Sequence, residues 1–291
     1  MPKPRELRRR IKSVENTRQI TKTMEMVATS RLKRAQDRVV AARPYAAALT
    51  EVLANLYSPE LTERFPLLRQ PAGQPSRVAL ILITSNRGLC GAFNGNLIRK
   101  ARERIATLQD AGTEVELHCI GRKGIRYFKY IGRKMAGTRD DIGDRPTAAH
   151  ATEVMEPLMA RFASGELDAV EVIFAKFNSP LSTPPEILQV LPVEPQASQG
   201  KRGTTANFIL RPSAQEIVGA ILPLYVHNAM YRSLVETAAS EQGARRTAMK
   251  NATDNAGEMI DNLRRVYNRA RQGQITQEIA EIVGGAEALK G

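Results

Sequence analysis

The chain of 291 residues is 42% hydrophobic and 25% charged, enough apolar matter to bury a core and a length that suits about two domains. Aromatics make up 5% of it and tryptophan is absent, a composition fitted to long, closely packed helices. The net charge of +13 calls for acidic partners (nucleic acid, anionic lipid or acidic protein), and residues 1–44 carry most of it, thirteen Lys/Arg against four acidic residues, a net of +9. The longest apolar run, Val78–Ile83, falls far short of the ~20 residues a membrane helix needs. Cys90 and Cys119 lack CxxC or zinc-ligand spacing and are expected as free thiols in a reducing compartment. The opening Met1-Pro2-Lys3-Pro4 leads straight into charged residues, so neither a signal peptide nor a transit peptide is expected.

Arg5 to Arg43 contains neither proline nor glycine. Leu7, Ile11, Val14, Ile20, Met24, Val27, Leu32, Ala35, Val39 and Ala42 recur at steps of mostly three and four, which predicts a long helix with coiled-coil spacing. Pro44 is expected to kink it, and Tyr45, Leu49, Val52, Leu53 and Leu56 carry it on to about Tyr57. Prolines 59, 66, 71 and 75 then mark an irregular linker. The stretch from about 76 to 205 has a different character. Val78–Thr84 reads as a strand buried on both faces, Val115–Ile120 and Val170–Phe177 as further strands, and Ile187–Val193 as a fourth. Helices are expected over Asn96–Ala111, Lys123–Tyr130 and Ala148–Ala163, the last kinked at Pro157. The alternation predicts a small, parallel-type, Rossmann-like α/β domain, followed by a polar loop at 196–205.

From about Ser213 to Leu289 the chain reads as one very long helix. No proline follows Pro223, and Leu234, Ala238, Ala248, Ala252, Ala256, Met259, Leu263, Val266 and Ala270 form a stripe of small or apolar residues. At about 1.5 Å per residue, some 70 residues make a rod on the order of 100 Å long. No globular core requires that length, which points to a mechanical role. The predicted architecture is α/β plus a long antiparallel coiled coil: helix (1–58), inserted α/β domain (76–205), helix (212–288). A first helix of about 50 residues covers the second only to about Leu263, so the last twenty or so are expected to overhang. Ile275, Ile279, Ile282 and Val283 form an apolar stripe on that overhang with no partner in the chain, the mark of a binding surface. Glu241 and Arg245 fall where the seam should be apolar, and both are expected to snorkel to solvent.

No phosphate loop, dinucleotide fingerprint, zincin motif or nucleophile elbow is present. His118, His150 and His227 are scattered, and His118 is expected as a packed or surface residue of a strand. The loop from Ser85 to Gly95 follows the first strand, where open α/β sheets bind anions. There Cys90, beside Arg87, could be an activated thiol, although its glycines equally suit a tight turn against neighbouring backbone. The basic first helix, with Arg8–Arg10 and Arg31, Lys33 and Arg34, invites a nucleic-acid reading. Against that reading stand the scarcity of aromatics and the use of the apolar stripe as a seam.

Three segments carry a family resemblance. Ile20–Gln36 (ITKTMEMVATSRLKRAQ) resembles the N-terminal signature of the gamma subunit of F-type ATP synthases. Ser85–Gly91 (SNRGLCG) is similar to that family's loop, with Asn86 where aspartate is usual. Ala248-Met249 together with Tyr267–Ala286 (YNRARQGQITQEIAEIVGGA) resembles its most specific motif. The resemblance implies a rotary shaft turning within a ring of three alpha and three beta subunits. Its foot would meet the epsilon subunit and the membrane c-ring, so that ion flow drives ATP synthesis at sites owned by beta. It implies no cofactor, no catalytic residue, no nucleic acid and no membrane insertion for this chain, and a place on the cytoplasmic face of a bacterial membrane. It further implies that Met24, Arg271, Gln272 and Thr276 contact beta, that the apolar stripe lines the shaft tip, and that Phe208 belongs to the foot on the c-ring.

Overall fold

The computed structural model describes residues 4–56, 64–71, 73–194 and 214–288. The expected loop at 196–205, Phe208, and Pro59 of the linker lie outside the described residues. In chain order the elements are α1 (Pro4–Leu56), a 3-10 turn (Pro66–Leu68), β1 (Arg77–Ile83), α2 (Phe93–Asp110), β2 (Glu114–Ile120) and α3 (Arg122–Tyr130). They continue with β3 (Gly137–Arg139), α4 (Ala148–Ala163), β4 (Ala169–Ala175), β5 (Pro185–Leu191) and α5 (Ala214–Ala288). Both long helices are thus present, and the α/β assignment holds. The chain divides into two compact units, Met1–Ala28 with Arg246–Gly291, and Thr29–Arg245.

In the Thr29–Arg245 unit the strands form one sheet in the order β3-β2-β1-β4-β5. β1, β2, β3 and β4 pair in parallel, as expected, but β5 runs antiparallel to β4. The link between β4 and β5 is a hairpin closed by a Ser179–Ser182 bridge, too short for the crossover that a parallel pair needs. Three-residue β3 escaped the sequence reading because it is shorter than any alternation pattern. Strand alternation sends side chains to two faces. On one face Leu80 and Leu82 meet Phe93, Leu97, Ala101 and Ile105 of α2 and Phe128 of α3. On the other, Ala79, Ile81 and Ile83 meet Met155 and Phe162 of α4 together with Val218, Leu222, Val226 and Met230 of α5. Further along, Leu32, Ala35 and Val39 of α1 pack on Val235 and Ala239 of α5. Pro44 and Pro157 lie inside unbroken helices.

In the unit formed by the chain ends, α1 and α5 run antiparallel. Thr253 Oγ1 donates to Thr21 Oγ1 at 2.8 Å, and Arg264 Nη2 donates to Glu15 Oε1 at 2.7 Å. The seam is phased differently from the expected stripes. On α1 the inward positions are Leu7, Ile11, Val14, Thr21 and Ala28, while Ile20 and Val27 are exposed. On α5 they are Met249, Thr253, Ala256, Ile260, Leu263, Tyr267 and Ala270, while Met259 and Val266 are exposed. On α5 the inward positions alternate steps of four and three, and on α1 they step by four, three and then seven, both the spacing of a coiled-coil seam. The expected stripes meet the seam at Leu7, Ile11, Val14, Ala256, Leu263 and Ala270 and miss it by one residue at Ile20, Val27, Ala252, Met259 and Val266, because they avoided two threonines, which bury their hydroxyls by hydrogen-bonding each other and the preceding helical turn.

Candidate functional site

The sheet's switch point lies at the carboxyl end of β1, between outward-leading β2 and β4, where an open α/β fold leaves a crevice. Here the chain fills that place with its own groups. Thr84 Oγ1 donates to the carbonyl of Ile120 at 3.0 Å and accepts from Gly124 N at 2.9 Å. Gly121 takes φ +98°, and a Cβ there would stand 2.1 Å from the Thr84 carbonyl oxygen, so only glycine fits. Asn94 Oδ1 accepts from Ser85 N at 3.0 Å, and Asn86 Nδ2 donates to the carbonyls of Asp140 and Ile142 at 2.9 and 3.1 Å. An amide does this work where a carboxylate could not, because both contacts require N–H donors.

Cys90 is buried, and Asn94 Nδ2 donates to its Sγ at 3.2 Å. Burial pushes the thiol's pKa up, outweighing the opposite pull of Arg245, so the low-pKa nucleophile that Arg87 suggested is not formed. Burial raises Cys119 to about 12. No histidine partners either thiol. His150 Nδ1 accepts from Thr147 N in the cap of α4, and His118 packs where a Cβ on Gly137 would approach its Nδ1 to 2.6 Å. Among the described residues no group of three or more His, Cys, Asp or Glu could hold a metal ion. No helix among them is long and apolar enough to cross a membrane.

The polar side of α5 within this unit is the feature that sequence reasoning missed. Glu241 and Arg245 do not snorkel: Arg245 is 8% exposed, and its Nη2 donates to Glu241 Oε1 at 2.5 Å and to the Gly88 carbonyl at 3.3 Å. The pair is held inward because it ties α5 to the loop after β1. Burial pushes the Glu241 carboxyl up, with Arg245 pulling it back. One and two turns earlier, Ser240 Oγ donates to the Ala175 carbonyl at 3.1 Å. Thr237 Oγ1 accepts from Ala175 N, and Glu236 Oε2 from Phe177 N, each at 3.2 Å. These side chains satisfy the backbone groups that β4 leaves open where it ends. Their signal was visible: Ser233, Glu236 or Thr237, and Ser240 recur at three to four residues, on a face beside that of Val235 and Ala239.

In the unit formed by the chain ends, all of Arg271–Ala286 is exposed on α5. Ile275, Ile279, Ile282 and Val283 are 46%, 56%, 72% and 57% exposed. Arg271, Gln272 and Thr276 stand among them, with Thr276 Oγ1 donating to the Gln272 carbonyl at 3.0 Å. Met24 is half-buried on α1, three residues from Thr21, which meets Thr253. Arg271 lies eighteen residues past Thr253, roughly 27 Å along the helix. The structure therefore places these residues on two separate surfaces.

Comparison with known proteins agrees. A family model described as ATP synthase matches residues 3–289. The ATP synthase gamma chain of Gemmatimonas aurantiaca is 61% identical over 100% of both chains, and that of Leptospira biflexa is 42% identical over 99% of this chain and 100% of the relative. Among solved structures, a chain of the Euglena gracilis mitochondrial ATP synthase complex of OSCP, F1 and c-ring aligns with TM-score 0.67 at 19% identity, covering 98% of this chain and 94% of that one. A chain of the Tetrahymena thermophila central stalk and c-ring aligns with TM-score 0.60 at 23% identity, covering 80% and 99%; at these identities the likeness shows the fold. The long helices, the inserted sheet and the end-to-end sequence match lead to one conclusion: this chain belongs to the ATP synthase gamma chain family.

Proposed function

We propose that the chain is the central rotary shaft of an F-type ATP synthase, coupling c-ring rotation to conformational change at catalytic sites on beta. Segments 1–58 and 212–288 form the shaft, and 76–205 is the inserted domain beside its foot. The observation that carries this reading is the bare end of α5. An apolar stripe with no partner among the described residues is a surface for other subunits, and a collar of alpha and beta subunits suits it. Arg271, Gln272 and Thr276 would meet beta there, and Met24 would face beta lower on the shaft. Phe208 would belong to the foot, where the chain meets the epsilon subunit and the c-ring. The catalytic residues would be beta's own. The assembly would place this chain peripherally on the cytoplasmic face of a bacterial membrane, with no span of its own.

A torque contact must form and break in every turn, so exposed polar groups beside a small apolar stripe suit it better than a dry seam. The basic surface of α1 then serves acidic partner loops and steering during assembly. No observation favours a nucleic-acid partner. The test is deletion of Gln272–Gly291. Assembly or torque should weaken while the α/β domain stays folded. Unchanged rotation and unchanged coupled ATPase would refute the assignment.

A further inference from the structure

A cavity of about 170 Å3 in the Thr29–Arg245 unit has no part in the reading above. It is lined by Arg31, Arg34 and Arg38 of α1, by Asp144 and Arg145 in the segment before α4, and by Gln242 of α5. The α1 arginines follow at steps of three and four, which brings all three to one helix face. Arg31 Nη1 donates to Asp144 Oδ2 at 2.9 Å, and Arg38 Nη2 donates to the Asp144 carbonyl at 3.3 Å. These bonds fix two guanidiniums at the wall. The side chains of Arg34 and Arg145 have no hydrogen-bond or ion-pair partner among the described residues. Four cations thus line one small space against a single carboxylate. Gln242, 2% exposed, completes the wall.

We propose that this cavity binds one phosphate-type oxyanion, supplied as hydrogenphosphate or as the terminal group of a phosphate ester. Planar guanidiniums present N–H groups in pairs that match tetrahedral oxyanion oxygens. With about 30 Å3 per water in the liquid, the space holds one such anion and a few waters but no whole nucleotide. The inference stands on these residues alone and does not depend on the shaft reading.

Isothermal titration of the full-length chain at neutral pH and low chloride tests it, with separate arms for inorganic phosphate, sulfate, ADP, anionic phospholipid vesicles and a polyglutamate peptide. The expected result is saturable 1:1 binding of phosphate. Arg34→Gln and Arg145→Gln, both at exposed positions, should each weaken phosphate about tenfold without moving the melting temperature. ADP binding in competition with phosphate would identify an ester as the source and support the site. The proposal is overturned by absence of saturation or by wild-type binding in both arginine variants. It is also overturned if vesicles or polyglutamate bind and phosphate does not compete.

Discussion

Arg245→Ala probes the most consequential contact on α5. The wild-type guanidinium is 8% exposed, lies 2.5 Å from Glu241 Oε1, and donates to the Gly88 carbonyl at 3.3 Å. Its removal leaves a buried carboxylate without a counter-charge and a loop carbonyl without its donor. Breaking one half of a buried pair costs about 3–5 kcal/mol. In a unit of this size each kcal/mol moves the melting temperature by roughly 2–4 °C, so a fall of roughly 6–20 °C is expected. The loss should depend on pH. Burial already raises the Glu241 carboxyl above its ordinary value, so the folded state binds more protons than the unfolded one between those two values, and stability falls as pH rises through that window. Without Arg245 the folded value climbs further, and the deficit at pH 8 should exceed that at pH 5. Adding Glu241→Gln should restore part of it by removing the stranded charge. Denaturant titration of the full chain, with hydrogen exchange of β1 amides reporting on this unit, reads the effect. A deficit below about 1 kcal/mol, or one equal at both pH values, would show that the charges are solvated and the buried-pair argument wrong.

Gly121→Ala should be among the most damaging single changes, because the added Cβ meets the Thr84 carbonyl oxygen at 2.1 Å and φ is +98°; loss of soluble chain is the expected readout. Its control is Gly112→Ala, also at positive φ (+82°) but with nothing within 4 Å, which should cost only the backbone term of about 1–2 kcal/mol. His118 titrates below its ordinary value because burial disfavours the imidazolium, against the pull of Glu116. Such a group contributes stability that is present above the unfolded value of 6.5 and lost as pH falls below it. His118→Asn should therefore flatten the stability profile between pH 5 and 7, and an unaltered acid limb would exclude this histidine as its source.

The elements were legible wherever one physical signal dominated. Val78–Ile83 announced a doubly buried strand because every position faces a packed layer, and the proline-free ends announced helices because three- and four-residue spacing persisted for dozens of residues. What stayed hidden depended on partners distant in sequence. Thr21 and Thr253 looked like surface residues because each is satisfied by the other, 232 positions away. Glu241 and Arg245 looked like a misfit on an apolar face because their third partner, the Gly88 carbonyl, belongs to a loop 157 residues earlier than Arg245. The same holds for Arg104 of α2, whose Nε donates to Glu171 Oε2 at 2.7 Å. Glu171 is 4% exposed in the middle of β4, where a local reading assigns apolar character. Arg31 and Arg34 could be weighed only as phosphate-following charge, since nothing local signals that a segment more than a hundred residues later closes a cavity over them.

The phase of α5 separates its two jobs. The seam toward α1 runs through Met249, Thr253, Ala256, Ile260, Leu263, Tyr267 and Ala270, alternating steps of four and three. Continued at the same rhythm, it would pass through Gln274 and Gln277, which are polar and exposed. The apolar stripe of the bare end runs instead through Ile275, Ile279 and Ile282, one to two residues out of register. One residue is about 100° around a helix of 3.6 residues per turn. A longer α1 continuing the same seam would therefore face glutamine and leave the isoleucines uncovered. The stripe at the end is not the remainder of a coiled coil that ran out of partner. Its direction suits a different partner approaching from another side, as subunits surrounding the end of a shaft would.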